Sequence, residues 1–219
     1  MNSPIIQLLV LAGIAIFLIL RLRSVLGTRE GFEKPPLPRS GGTEGRPRNF
    51  DVIEGGPDQD ITDHVPEGSP AAQALAEMKR AEPSFGVGEF LGGARGAYEM
   101  ILMGFERGEM EDIRPFLSAD VYESFAEVVR DREAQGLNIE SEFVGLKELS
   151  LADAQYDPES GIGEMTVRFV GQLTSVVRDQ TGDVVEGRPG EVKTQRDVWT
   201  FARRMGAEDP NWQLVATGE

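Results

Sequence analysis

Hydrophobic positions change rhythm three times along this chain. They begin without a break: from Ile5 to Leu20 the only clearly polar residue is Gln7, and Arg21-Leu22-Arg23 and Val25-Leu26 follow. As a helix this stretch would span roughly 24 Å, a little short of the ~30 Å hydrocarbon core, and snorkelling arginines can close the gap. Positive charge follows the apolar run rather than preceding it, and no small-x-small cleavage site comes after. The pattern therefore predicts an uncleaved transmembrane anchor over residues 1–26 rather than a signal peptide. Arg21, Arg23, Arg29 and Lys34 lie just beyond the span and nothing basic precedes it, which places the C-terminal side in the cytoplasm.

Between residues 27 and 68 no period survives. Pro35, Pro36, Pro38, Pro47, Pro57 and Pro66 alternate with Gly31, Gly41, Gly42, Gly45, Gly55 and Gly56, and Glu54, Asp58, Asp60 and Asp63 add acid. Such a segment buries too little apolar surface to offset its ordering entropy, and it reads as a disordered Gly/Pro-rich acidic linker. One cluster, Phe50-Asp51-Val52-Ile53, is either a short docking motif or a collapsed patch. His64 lies in the same linker and is expected to be solvated.

A helical period then begins. Ser69-Pro70 reads as N-cap and first helical residue of a short helix through Leu75 and Met78 that ends at Pro83. Phe90, Leu91, Ala94, Ala97, Tyr98, Ile101, Leu102 and Phe105 form one face of a stronger helix. Gly92, Gly93 and Gly96 lie beside that face, where they either weaken the helix or admit another element. After a turn at Gly108, Ser118 caps a third helix with Leu117, Val121, Tyr122, Phe125, Val128 and Val129 inward, and Gly136 closes it.

From residue 139 the period becomes two. A strand near 142–154 precedes a long one in which Met165, Val167, Phe169, Leu173 and Val177 share a face. The Asp179–Gly182 turn leads to Val184-Val185. Residues 192–203 form another strand with Trp199 and Phe201 on one face, and Trp212, Leu214 and Ala216 follow the Asp209-Pro210-Asn211 turn. Helices followed by a meander predict an α+β domain over residues 69–219, about three helices on one face of a curved antiparallel sheet of four to five strands.

Composition narrows the chemistry. Hydrophobic residues make up 40% of the 219, enough for a core, and 22 Lys and Arg against 37 Asp and Glu give a net charge of −15, so a nucleic-acid partner is not expected. With no cysteine and one histidine, thiolate chemistry, disulfides and Cys/His zinc sites are excluded. No phosphate loop, paired metal carboxylates or nucleophile elbow is present, so no cofactor, no metal site and no catalytic residue is expected. Tyr98, Tyr122, Asp153 and Tyr156 are the groups that could move a proton. The first two sit on core stripes and the last two beside the Asp157-Pro158 turn. For an apolar pocket the candidate lining is Tyr98, Leu102, Phe169, Trp199 and Phe201, with plain core the competing reading.

Several segments together resemble a known family. Arg-Leu-Arg-Ser-Val-Leu-Gly-Thr-Arg at 21–29, Gly-Phe-Glu-Lys-Pro-Pro at 31–36, the Phe90 to Phe105 helix, Arg114-Pro-Phe-Leu-Ser118, Asp197-Val-Trp-Thr-Phe-Ala202 and Asp209-Pro-Asn-Trp212 are similar to bacterial membrane-anchored proteins with the C-terminal domain of mitochondrial import inner-membrane translocase subunit 44. The resemblance implies a cone-like fold of the nuclear-transport-factor-two-like superfamily with an apolar pocket. It also implies residence at the inner membrane. The mitochondrial family tethers a chaperone motor through a long N-terminal region; here a single span and a short linker stand in its place, so a chaperone partner stays open.

The expectation from all of this is a non-enzymatic, membrane-tethered cytoplasmic binding module that assists protein translocation or assembly at the bacterial inner membrane by offering an apolar surface to partner or client chains. The alternatives are a small pocket enzyme of the isomerase or dehydratase type and a peripheral lipid-binding module.

Overall fold

The computed structural model describes residues 58–218. The expected anchor, the linker up to residue 57 and the Phe50–Ile53 cluster lie outside the described residues. Among the described residues no helix is long and apolar enough to cross a membrane.

Three long helices carry the fold's first half. Ser69 accepts a hydrogen bond from the Ala72 amide at 3.1 Å and Pro70 supplies the preset φ of a first turn, so α2 runs Pro70–Ala81, with α1 the short Gln59–Thr62 turn before it. The central helix α3 spans Val87–Arg107 and ends at Gly108, whose φ of 74° lets its amide reach the Gly104 carbonyl. A short helix α4 (Met110–Ile113) and a 3-10 turn (Arg114–Phe116) lead to Ser118, which caps α5 (Ala119–Ala134) through the Val121 amide. The expected stripe on α5 is partly corrected. Val121, Ala126 and Val129 are buried and Tyr122 and Phe125 half-buried, whereas Val128 is 43% exposed.

The second half is a four-stranded antiparallel meander in the order β1 (Asn138–Asp157), β2 (Ile162–Arg178), β3 (Val184–Arg204) and β4 (Gln213–Gly218). Val184-Val185 and residues 192–203, read separately in the sequence, are one strand. Irregularities at Phe143/Gly145, Leu146/Glu148 and Leu151/Asp153 interrupt the β1 register, and an extra residue at such points bends a strand. Pairing places Phe169 opposite Asp197, Val167 opposite Trp199 and Met165 opposite Phe201, so their shared face meets α3 in the core.

One close approach decides how α3 sits on the sheet. A Cβ on Gly171 would lie 2.8 Å from the Tyr98 hydroxyl oxygen and 3.1 Å from its ring, so only glycine at that point of β2 lets the ring lie flat on the strand. Tyr98 stacks on Phe169 at 4.4 Å with an 11° interplanar angle. Gly92, Gly93 and Gly96, by contrast, meet nothing within 4 Å, so no element of the domain uses the space they leave.

The domain also begins earlier than the composition suggests. Ile61 and Val65 are buried in the core, and His64 is half-buried, although all three belong to the segment read as linker. Asp60 explains the docking. Its carboxylate accepts from the Val87 amide at 2.7 Å and the Gly88 amide at 2.9 Å, satisfying the open N-terminus of α3, where the N-cap position Gly86 has no side chain to offer.

Candidate functional site

A groove of about 560 Å³ opens between the first half of α3, the α2–α3 connection and the β3–β4 connection. Its aromatic wall comes from three places in the sequence. Phe85 ends the α2–α3 loop, Phe90 is on the first turn of α3, and Trp212 follows the Asp209–Asn211 turn that returns the chain toward β4. Trp212 lies 4.7 Å from Phe90 and 5.9 Å from Phe85, and Phe90 in turn meets Phe201 edge-on at 6.0 Å. Such tilted pairs suit the ring quadrupoles and hold the wall at fixed angles. Gly93, Ala94 and Ala97, which follow Phe90 along the same face of α3, also line it, and their small side chains leave the groove open.

One ion pair belongs to the same groove. Arg203 has the inward parity of Trp199 and Phe201 on β3 and is only 9% exposed. Its Nη2 donates to Glu82 Oε2 at 2.8 Å, and its guanidinium lies 5.2 Å from the Trp212 ring centroid. Glu82 Oε2 also accepts the Gly206 amide at 2.8 Å. Burial alone would raise the Glu82 carboxyl, but the bonds from Gly206 and Arg203 outweigh it and hold the group below the ordinary glutamate range. The Arg203 Nε is buried with no hydrogen-bond partner.

The pocket residues expected from sequence are distributed differently. Tyr98, Leu102, Phe169 and Trp199 are buried and packed on one another or on the surrounding core, with Tyr98 4.8 Å from Trp199 and Phe169 5.7 Å from it. Phe201 is the member of that set that reaches the groove. The residues that sequence reading left out are Glu82, Phe85 and Arg203, while Phe90 and Trp212 were read as core positions. A signal for Arg203 was present: a charge two residues beyond Phe201 falls on the face that alternation turns inward.

The groups able to move protons are tied up or at the surface. Tyr98 donates to Asp197 Oδ2 at 2.5 Å, and Gln195 donates to the other Asp197 oxygen at 3.1 Å. Burial, reinforced by the Asp197 hydrogen bond and charge, pushes the Tyr98 phenol far above its ordinary range, so it stays a neutral donor. Tyr122 donates to Glu111 at 2.7 Å on the exposed side of α5, a bond that raises the phenol and lowers the carboxyl. Asp153 accepts from Gln155 at 3.2 Å, and Tyr156 is half-buried against the core. Among the described residues no three His, Asp or Glu side chains are grouped to hold a metal ion. What the groove offers is the half-buried Trp212 ring over the edges of buried Phe85 and Phe90, backbone, and the Glu82–Arg203 ion pair.

Comparison with known proteins places this geometry. The family model described as Tim44-like domain matches residues 71–219. The mitochondrial import inner membrane translocase subunit TIM44 of Homo sapiens is 25% identical over 147 residues, covering 66% of this chain and 32% of its own length. Its counterpart in Rattus norvegicus is 24% identical over the same share of each. The chain thus spans about a third of the length of these curated relatives. Among solved structures, the intermembrane space region of chloroplast protein ARC6 is similar at 10% identity over 56% of this chain and 88% of that one, at a TM-score of 0.38, a likeness too loose to carry an argument.

Proposed function

Because the chain belongs to the Tim44-like domain family, we propose that it is a non-enzymatic, membrane-associated module that assists protein translocation or assembly by holding apolar segments of partner or client chains in the aromatic groove. The observation that supports this reading is the concave groove in which Trp212, over the buried rings of Phe85 and Phe90, meets the Glu82–Arg203 pair, so that aromatic and fixed polar groups converge on one opening. The proposal extends to topology: Ile5–Leu20 spans the bacterial inner membrane once and the domain is cytoplasmic. Tethering near the bilayer raises the local concentration of a weak binder around emerging chains. The pocket-enzyme reading is disfavoured because the Tyr98 hydroxyl is committed to Asp197. The lipid reading is disfavoured by the acidic balance of the chain, which does not attract anionic headgroups.

A photo-reactive residue at Gly93 or Asn211 in the full chain, in inner-membrane vesicles holding a stalled exported or membrane-inserting chain, tests the proposal. Cross-links to that chain from both positions, and none from Glu127 on α5, are expected. Cross-links to lipid alone would replace this reading with the lipid-binding one. A reporter fused after Glu219 that is reached by protease outside intact cells would overturn the topology.

A further inference from the structure

We propose that residues 58–65, with α1 at their centre, act as a latch on the groove: they dock across both ends of the α2–α3 loop, release as a unit while the sheet stays folded, and on release loosen the groove wall. As a control on access it rests on the groove being the binding site, whereas the opening itself is measurable without any ligand. The loop carries Glu82, Ser84 and Phe85 to the groove edge. Asp58 and Asp60 hold it from both sides. Lys79, in the last turn of α2, lies 2.7 Å from a carboxylate oxygen of each aspartate, and the Asp60 carboxylate accepts the Val87 and Gly88 amides of α3 at 2.7 and 2.9 Å. Ile61 and Val65 complete the docking by entering the core.

The sequence of α3 makes it depend on that contact. Its N-cap, Gly86, offers no side-chain oxygen, and Gly88, Gly92, Gly93 and Gly96 all fall in its first half, whereas Gly104 is the one glycine from Ala97 onward. Glycine is the poorest helix former after proline because its backbone loses the most freedom on ordering. The helix is therefore weakest where Glu89, Phe90, Gly93 and Ala94 line the groove, and a carboxylate from outside supports its first turn. The latch has two states. Gln59–Thr62 is a single helical turn, too short to persist away from the domain, so its folding and its docking coincide. The Asp58–Lys79 pair is solvent-exposed on the Asp58 side and adds little, so two aliphatic side chains and one cap do most of the holding. β2, by contrast, has Met165, Val167 and Phe169 wholly buried, and lightly held elements open at lower free energy than the fold as a whole. When the latch leaves, both ends of the loop are freed and α3 loses its cap, so Phe85 and Phe90 can move away from Trp212, which they meet at 5.9 and 4.7 Å. A bulky segment that needs the wider opening favours release, and by reciprocity whatever displaces residues 58–65 favours its binding.

Hydrogen exchange of the full chain in detergent micelles, followed peptide by peptide at low denaturant, tests the latch. Residues 59–65 and 87–93 are expected to share one opening, with an equilibrium constant about a hundredfold above that of residues 165–173 in β2. Ile61→Val, which touches the latch and not α3, should speed exchange of both segments by the same factor, about fivefold. Gly92→Ala with Gly96→Ala, at positions with open space around them, should separate the two openings and leave residues 87–93 about tenfold better protected than 59–65. Exchange of residues 59–65 only at the β2 rate, protection of 87–93 unchanged by Ile61→Val, or no separation in the alanine variant would each overturn the proposal.

Discussion

The Tyr98 hydroxyl meets Asp197 Oδ2 at 2.5 Å, joining the middle of α3 to β3 in the same place where the Tyr98 ring stacks on Phe169. A catalytic-looking phenol and a strand carboxylate thereby become one structural clamp. Tyr98→Phe leaves that carboxylate short of a donor in a part-buried setting, and a loss of about 1–3 kcal/mol of stability is expected. Adding Asp197→Asn should recover some of it, because the uncompensated charge is then gone; a double-mutant cycle by urea denaturation measures the coupling.

The same pair makes a pH prediction. The folded-state Tyr98 pKa is raised above the ordinary value of 10.0, first by burial and then by Asp197. Stability is therefore intact below about pH 10 and declines as pH rises beyond it, because the unfolded chain gives up a proton that the folded one keeps. Tyr98→Phe should show a shallower alkaline decline. An unchanged alkaline slope in denaturant titrations would remove this explanation.

Residues 58–68 predict a boundary effect. A chain starting at Ser69 loses the burial of Ile61 and Val65 and the Asp60 contacts with the first turn of α3. It should be less stable than one starting at Asp58 by about 3 kcal/mol or more, since each aliphatic side chain alone contributes roughly 1.5–3 kcal/mol. Asp60→Asn in the longer chain should also reduce acid sensitivity. Burial raises the Asp60 pKa, but Lys79 and the two amides outweigh it and leave it lowered, so its contribution is present above the ordinary Asp range and is lost as pH falls through the folded value.

Core and groove can be separated by two tryptophans. Trp199 is buried among Tyr98, Phe169 and Phe201, and Trp199→Ala should remove about 3–5 kcal/mol of stability. Trp212 is half-exposed in the groove wall, so Trp212→Ala should lower the melting temperature less while reducing client cross-linking at Asn211 more. The reverse ranking in thermal melts and cross-linking yields would mean the groove is only packing.

The Glu82–Arg203 pair should behave as a unit. Glu82→Gln leaves a guanidinium that is only 9% exposed without its counter-charge, and a loss of about 3–5 kcal/mol is expected. Glu82→Gln with Arg203→Met removes both charges and should cost less than the sum of the two single changes by chemical denaturation.

Much of the fold was legible before any coordinates, for local reasons. Ser69 with Pro70 and Ser118 before its helix announced two starts because a side-chain oxygen and an amide three residues on are neighbours in sequence. The alternation through Met165, Val167 and Phe169 announced the inner face of β2 because a strand repeats every two residues. Val128 misled the reading of α5 because a helical stripe at the sequence level is wider than the strip its neighbours actually cover.

Sequence by itself determined the α+β order, the helix caps, the apolar faces and the exclusion of cysteine and zinc chemistry, since each follows from residue type and short-range spacing. Only the tertiary structure decided that Asp60 closes a helix beginning 27 residues later, that Tyr98 donates to Asp197, and that Glu82, Phe85, Phe90, Arg203 and Trp212 share one groove. Those contacts join residues from 27 to about 120 positions apart. No local period encodes which distant segments meet, because that is fixed by how the α3 face and the bent sheet pack together, and the packing in turn hinges on the missing side chain of Gly171 under the Tyr98 ring.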